Sequence, residues 1–118
     1  MKVIIAGGRD FPYYDRLVAF CDRILELTKA DIEIVSGLAA GADTMGERYA
    51  ISKGYKIAKF AADWEKYGRA AGYKRNKQMA EYADCLIAFW DSKSKGTKHM
   101  IDLAKEYGLN IRICYYTV

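Results

Sequence analysis

The run Cys85-Leu86-Ile87-Ala88-Phe89 is apolar without alternation. A strand that buries one face alternates polar and apolar side chains, so an unbroken run fits a central strand covered on both faces, as in a parallel sheet. Around it, short apolar runs alternate with helical patterns. Lys2 to Ala6 reads as a first strand, stopped by Gly7-Gly8-Arg9-Asp10-Phe11-Pro12. The helix that follows has an apolar stripe of Tyr14, Leu17, Val18, Cys21, Ile24, Leu25 and Thr28. Ile32 to Val35 makes a second strand, and Ala42, Met45, Gly46, Tyr49 and Ala50 recur at helical spacing after it. Tyr55 to Phe60 gives a third strand, Asp63 to Gly68 a connecting loop, and Arg69 to Ala83 a third helix. Asp84 to Trp90 is the fourth strand and Asp91 to Lys95 a polar loop. Gly96 to Tyr107 is the last helix, and Asn110 to Cys114 the last strand. The order predicts an α/β fold: a doubly wound, mostly parallel five-stranded sheet with helices on both faces.

At 118 residues the chain is one domain, so any site must use the loops of one sheet or a neighbouring subunit. Hydrophobic residues make up 52 % with a single proline, which argues against disorder. No apolar run approaches the ~18 residues of a membrane span, and Gly7-Gly8-Arg9-Asp10 interrupts the N-terminal run too early for a signal-peptide core. A cytoplasmic protein with no membrane partner is expected. Cys21, Cys85 and Cys114 are odd in number and widely spaced within apolar patterns, and read as buried reduced thiols. His99 is the only histidine and reads as a helix-surface residue. No metal cluster can be built on imidazoles, no Ser-His-Asp spacing is recognisable, and no metal or cofactor is expected.

Ligands of such sheets bind beyond the carboxyl ends of the strands, near the point where the winding reverses. Three small-residue loops gather there: Gly7 to Phe11, Ser36-Gly37-Leu38-Ala39-Ala40-Gly41-Ala42-Asp43, and Asp91 to Thr97. The second lies between a strand and a helix, where glycines allow left-handed turns and exposed N–H groups attract anions. It is neither a G-x-G-x-x-G fingerprint nor a Walker A loop, and a tight turn that binds nothing would need the same small residues. Arg9, beside two glycines, is placed to reach a phosphate with its planar fork of donors, or to pair with Asp10 or Asp43. Arg75, Asn76, Met79 and Ala83 share a helix face, and since Met79 and Ala83 should pack inward, Arg75 is pointed toward protein. Ser94 or Thr97 can cap the last helix, while Gly96 permits close approach, so this loop and the Ser36 loop would form a two-sided anion cradle around the first strand.

Asp43 and Glu47 lie one helical turn apart and are the weak candidates for acid–base chemistry, although such a pair is commoner on a solvated face. Trp64, Tyr67, Tyr73 and Trp90 lie near the loops, where a ring can stack on a base or pack in a core or subunit interface. Ten tyrosines in so small a domain leave apolar surface to hide against a second copy, so a homo-oligomer is expected. Net charge is +4, and the excess is local: eight basic residues face three acidic ones between Lys66 and Lys98. That field suits an anionic partner.

Gly7-Gly8-Arg9-Asp10-Phe11, Ser36-Gly37 with Gly41-Ala42-Asp43, Ala71-Gly72 with Arg75-Asn76 and Met79, and Phe89-Trp90 with Ser94-Lys95-Gly96-Thr97 together resemble the small YspA/YpsA-like branch of the SLOG superfamily. The resemblance spans nearly the whole chain. It implies a Rossmann-like domain that binds nucleotides or nucleotide-derived ligands, related to the Lonely-guy phosphoribohydrolases and to the DNA-processing protein of transformation. The Lonely-guy enzymes carry P-G-G-x-G-T-x-x-E with a catalytic glutamate. Here Lys98, His99 and Met100 follow Gly96-Thr97, so that chemistry is in doubt. The leading expectation is a sensor or sequestering module for a phosphorylated small molecule, bound through Gly7, Gly8, Arg9, Asp10, Phe11, Ser36, Gly37, Leu38, Gly41, Ala42, Asp43, Arg75, Asn76, Trp90, Ser94, Gly96 and Thr97. A phosphoribohydrolase using Asp43 or Glu47, and a single-stranded nucleic-acid binder, are the alternatives.

Overall fold

Eleven short elements alternate along the chain of the computed structural model, which describes residues 1–118. They are β1 (Lys2–Gly7), α1 (Tyr14–Leu25), β2 (Glu33–Ser36), α2 (Ala42–Lys53), β3 (Lys56–Lys59), α3 (Trp64–Tyr67), a 3₁₀ turn (Gly68–Ala70), α4 (Ala71–Tyr82), β4 (Cys85–Trp90), α5 (Lys95–Glu106) and β5 (Asn110–Tyr115). The strands form one sheet in the order β3-β2-β1-β4-β5. Every neighbouring pair is parallel, so "mostly parallel" becomes wholly parallel. The chain winds outward from β1 to β3, then returns past β1 to lay down β4 and β5. The reversal falls between β1 and β4.

The central strands are buried on both faces, as the unalternating β4 run requires. Val3, Ile5, Ile87 and Phe89 point to one side, where Leu17, Cys21 and Leu25 of α1 and Ala42, Tyr49 and Ala50 of α2 cover them. Ile4, Ala6, Leu86 and Ala88 point to the other, under Met79 and Ala80 of α4 and Met100, Ile101 and Ala104 of α5. Gly46 lets α2 lie directly on β1: a Cβ there would stand 2.8 Å from Ile5 Cβ and Cγ2. No helix is long and apolar enough to cross a membrane.

Some boundaries differ from the sequence reading. α1 ends at Leu25, where Glu26 N–H closes onto Asp22 O, so Thr28 lies beyond the helix. The segment expected as a loop, Asp63 to Gly68, contains α3, because the Asp63 carboxylate caps it by accepting from Lys66 N–H at 3.1 Å. Ser94, rather than Thr97, caps α5. Cys21 is buried, but Cys85, at the start of β4, and Cys114, on the edge strand β5, are only half-buried; all three are free thiols.

Candidate functional site

The reversal between β1 and β4 opens a cleft of about 100 Å³ at the carboxyl edge of the sheet. Its floor is the end of β1, Ala6 and Gly7, with Met79 and Met100 beneath. Its walls bring together Arg9, Ala39, Asp43, Arg75, Asn76, Ser94, Gly96 and Thr97 from four different segments. A second hollow of about 240 Å³ adjoins it and shares Arg9, Ala39 and Arg75. Gly37, Leu38, Ala61, Ala62 and Trp64 complete that one.

Asn76 ties the cleft together. Its side chain is 6 % exposed, accepts from Arg75 Nε at 3.0 Å, and donates from Nδ2 to Gly96 O at 3.3 Å, with His99 Nδ1 at 3.2 Å. A buried amide so satisfied fixes α4 against the start of α5 and sets the guanidinium plane of Arg75. Arg75 Nη1 also donates to Gly37 O, which binds α4 to the loop after β2. Burial lowers the Arg75 pKa, with neighbouring Arg9 adding to the effect and Asp43 opposing it. A guanidinium remains charged under such shifts.

Arg9 is exposed on the rim and forms no ion pair. The alternative partners, Asp10 and Asp43, are both otherwise engaged. Asp10 turns away and accepts from Tyr116 OH at 2.7 Å. Asp43 is 5 % exposed and accepts from Ala39 N–H at 3.2 Å. Burial pushes its pKa up to about 6 against the pull of the Ala39 N–H and of Arg75, and Glu47 adds to the rise. The cleft thus holds two guanidinium groups and one carboxyl group that titrates near neutrality.

The two helix starts on either side of β1 differ. At α2, Gly41 has φ +73°, and a Cβ there would meet Gly8 O and Arg9 O at 2.3 and 2.5 Å. The first helical N–H, of Ala42, already donates to Gly8 O at 3.2 Å. At α5, the Ser94 hydroxyl accepts from Thr97 N–H at 3.4 Å and lies 3.0 Å from Thr97 Oγ1. Nothing lies within 4 Å of a Cβ on Gly96, and the Lys95 and Gly96 N–H groups have no acceptor within the protein.

Several residues expected to contact a ligand lie elsewhere. Phe11 is 2 % exposed and packs on Phe89 and Tyr116, because an aromatic ring at a strand end gains more from the core than from the rim. Ala42, the first residue of α2, is wholly buried. Ser36 is 1 % exposed, and its hydroxyl donates to Glu47 Oε2 at 2.8 Å while accepting from Leu38 N–H. Glu47 is thereby held behind the loop, with Lys59 Nζ 3.9 Å from Oε1, and does not join Asp43 in the cleft. Gly8 faces the Tyr116 hydroxyl, and Trp90 donates from Nε1 to Ser94 O at 3.1 Å with its ring toward Tyr115. His99 is half-buried rather than superficial, its ring tilted 59° against that of Tyr73 with centroids 4.4 Å apart, and burial holds its pKa below the usual value. The sequence reading missed Ala61 and Ala62. Their signal was a pair of small residues just past a strand end, the same signal used for the other loops.

The profile of the YspA, cpYpsA-related SLOG family matches residues 1–67. The chain is 31 % identical over 118 residues to the Gene 61 protein of Mycobacterium phage D29, covering 93 % of each. Its fold is similar to that of DNA processing protein A from Streptococcus pneumoniae, with a TM-score of 0.75 over 99 % of this chain at 18 % identity. The chain spans about half of that larger protein, 51 % of its length. From β1 through α3 the residues carry the family pattern, and the chain belongs to the YspA, cpYpsA-related SLOG family.

Proposed function

We propose that the protein binds a nucleotide or another nucleotide-derived phosphorylated small molecule in the cleft between β1 and β4, as a sensor or sequestering module. The carrying observation is that Arg9 and Arg75 face one cleft with no carboxylate oxygen within 4 Å of either guanidinium. Like charges repel, and although Asp43 offsets part of that cost at Arg75, an anion between the two guanidinium groups removes more of it while gaining charge-assisted hydrogen bonds. The unpaired Lys95 and Gly96 N–H groups at the positive end of α5 add donors on the opposite wall. Asp43, a carboxylate close to the same anion, suits a hydroxyl group on the ligand, which would donate to it.

Volume limits the ligand. A cleft of about 100 Å³ takes a phosphate or a little more, whereas small-molecule sites usually span roughly 300–1,000 Å³. A nucleotide needs the adjoining hollow as well. Protein purified under gentle conditions, denatured and analysed by mass spectrometry should release a phosphorylated metabolite, and titration calorimetry should give saturable binding of nucleoside monophosphates. Absence of both would overturn the reading.

A phosphoribohydrolase remains the second reading because Asp43 is a buried carboxyl group in the cleft whose pKa is raised to about 6, as a general acid or base requires. Glu47, held by Ser36, is no partner for it. Incubation with nucleoside monophosphates separates the two: free base supports hydrolysis, and intact nucleotide with measurable binding supports a binding module.

A further inference from the structure

The hollow beside the cleft is lined differently from the cleft itself. Leu38, Ala39, Ala61, Ala62 and Trp64 give it an apolar wall, and only Arg9 and Arg75, on the shared border, are charged. Trp64 is 53 % exposed and its indole Nε1 makes no hydrogen bond within the protein. Leu38 is 43 % exposed and adopts φ +62°, a left-handed conformation that costs a non-glycine residue free energy. Three contacts hold it there: Leu38 N–H donates to Ser36 Oγ, Ala39 N–H donates to Asp43, and Arg75 fastens Gly37 O. The loop is therefore over-determined by the same residues that shape the cleft. An apolar side chain is kept at the rim where burial would have been cheaper.

We infer that this hollow is a nucleobase subsite, in which a planar heterocycle lies between Trp64 and Leu38 while the phosphate of the same ligand is held by Arg9 and Arg75. The inference rests on the proposed anion cleft and adds to it the identity of the base-binding residues. Three observations favour a base over other occupants. The two hollows share Arg9, Ala39 and Arg75 as a common border, so the phosphate and the base of one ligand can lie on either side of the same guanidinium groups. The hollow, at about 240 Å³, is roomier than the cleft, at about 100 Å³, as the larger part of a nucleotide requires. And an aromatic face beside guanidinium groups suits a π-system, which stacks on the one and accepts cation–π contact from the others.

The remaining candidate rings are otherwise occupied. Trp90 packs against Tyr115, Tyr73 packs at a tilt against His99, and Tyr67 lies beneath the ammonium groups of Lys66 and Lys74. Among these aromatic residues only Trp64 lines the hollow. Asp63, which caps α3, fixes the short helix that carries it.

The test compares adenosine 5′-monophosphate, cytidine 5′-monophosphate and ribose 5-phosphate by titration calorimetry on the wild-type protein and on Trp64→Ala and Trp64→Phe. Wild type should bind the nucleotides about tenfold or more tightly than the sugar phosphate, the scale of one base stack. Trp64→Ala should erase that advantage and leave ribose 5-phosphate affinity unchanged, while Trp64→Phe retains most of it. Nucleotide should also quench tryptophan fluorescence in wild type and not in Trp64→Ala. Trp64 is exposed, so these variants keep the fold; Leu38→Gly, which relaxes the backbone while removing the facing side chain, should reproduce the loss of base preference. Equal affinity for nucleotide and sugar phosphate in wild type, or an advantage that survives in Trp64→Ala, would overturn the base subsite and leave the anion cleft standing. Failure of all three probes to bind would overturn both, and Arg9→Ala, which should weaken all three together, tells the two cases apart.

Discussion

The helix starts on either side of β1 look alike in the sequence, small residues and a glycine ahead of a helical pattern, yet they do opposite things. At α2 the glycine lets backbone approach backbone: Gly41 lies under Gly8 O and Arg9 O, and Asp43 folds back onto the loop. At α5 the glycine faces open space, and two N–H groups beside it lack partners. A missing Cβ is thus used once to close the protein on itself and once to leave room. Sequence alone does not separate these uses, because both need the same residue type.

Adding the missing atom is the direct way to break the comparison. Gly41→Ala would place a Cβ 2.3 Å from Gly8 O on a backbone at φ +73°, combining a steric clash with a strained conformation. A loss of about 3 kcal/mol or more in denaturant-unfolding stability is expected, with the cleft lost as the Gly8–Arg9 turn moves. A loss below about 1 kcal/mol would mean that the α2 start is not packed shut.

Next in size are the arginines. Arg75→Ala removes the donor to Gly37 O and leaves Asn76 Oδ1 without its partner, so both stability and anion binding should fall. Arg9→Ala removes a group with no ion-pair partner, and should leave stability within about 0.5 kcal/mol of wild type while weakening binding of nucleoside monophosphate about tenfold or more, as for a charged hydrogen bond. Equal losses of stability in the two variants would sink the distinction between a built-in and a free guanidinium. Melting curves with and without ligand read both quantities.

The fold was legible because β4 is an unbroken apolar run and the other strands alternate with amphipathic helices, so little besides a doubly covered parallel sheet accommodates them. The edge that carries the cleft followed from that topology alone. What stayed hidden was direction. Arg9, Asp10 and Phe11 are consecutive, yet one stays on the cleft rim, one reaches Tyr116 and one enters the core. A loop has no fixed period from which side-chain direction can be read, unlike a helix or strand. Glu47 failed for the opposite reason: it has the expected helical spacing from Asp43, but Ser36, a residue far away in sequence, claims it. Asn76 was correctly placed beside Arg75 on α4, while its link to Gly96 and His99 depends on the packing of α4 against α5, which no local pattern encodes.

Asp43 gives a smaller effect that sharpens the difference between the two sides of β1. Its pKa, about 6, lies above the ordinary value, so the folded state holds the proton more tightly than the unfolded one. The ionised form is the strained one, and its cost is present above pH 6 and fades as pH falls from 6 toward 4. Lowering the pH through this window should therefore strengthen binding of sulfate, whose own charge does not change there, as a negative charge leaves the cleft. In Asp43→Asn that rise should disappear, which also removes His99 as its source, since His99 remains in the variant. An unchanged pH profile in Asp43→Asn would place the titrating group elsewhere.

Gly96→Ala should have a small effect of opposite sign on stability and is the counterpart of the first substitution. The added Cβ meets nothing within 4 Å, and Gly96 is the second residue of α5, where alanine is the better helix former. Less conformational freedom is then lost from the unfolded chain, so the variant should be stabilised by a few tenths to about 1 kcal/mol. Yet Gly96 lines the cleft, and its N–H is one of the two free donors at the α5 start. A methyl group there narrows the approach to that donor, so nucleotide affinity should fall while the melting temperature rises. Opposite signs in the two measurements are the signature of a glycine kept for ligand access rather than for packing; a variant that gains stability with affinity intact would show that the ligand approaches β1 from another side.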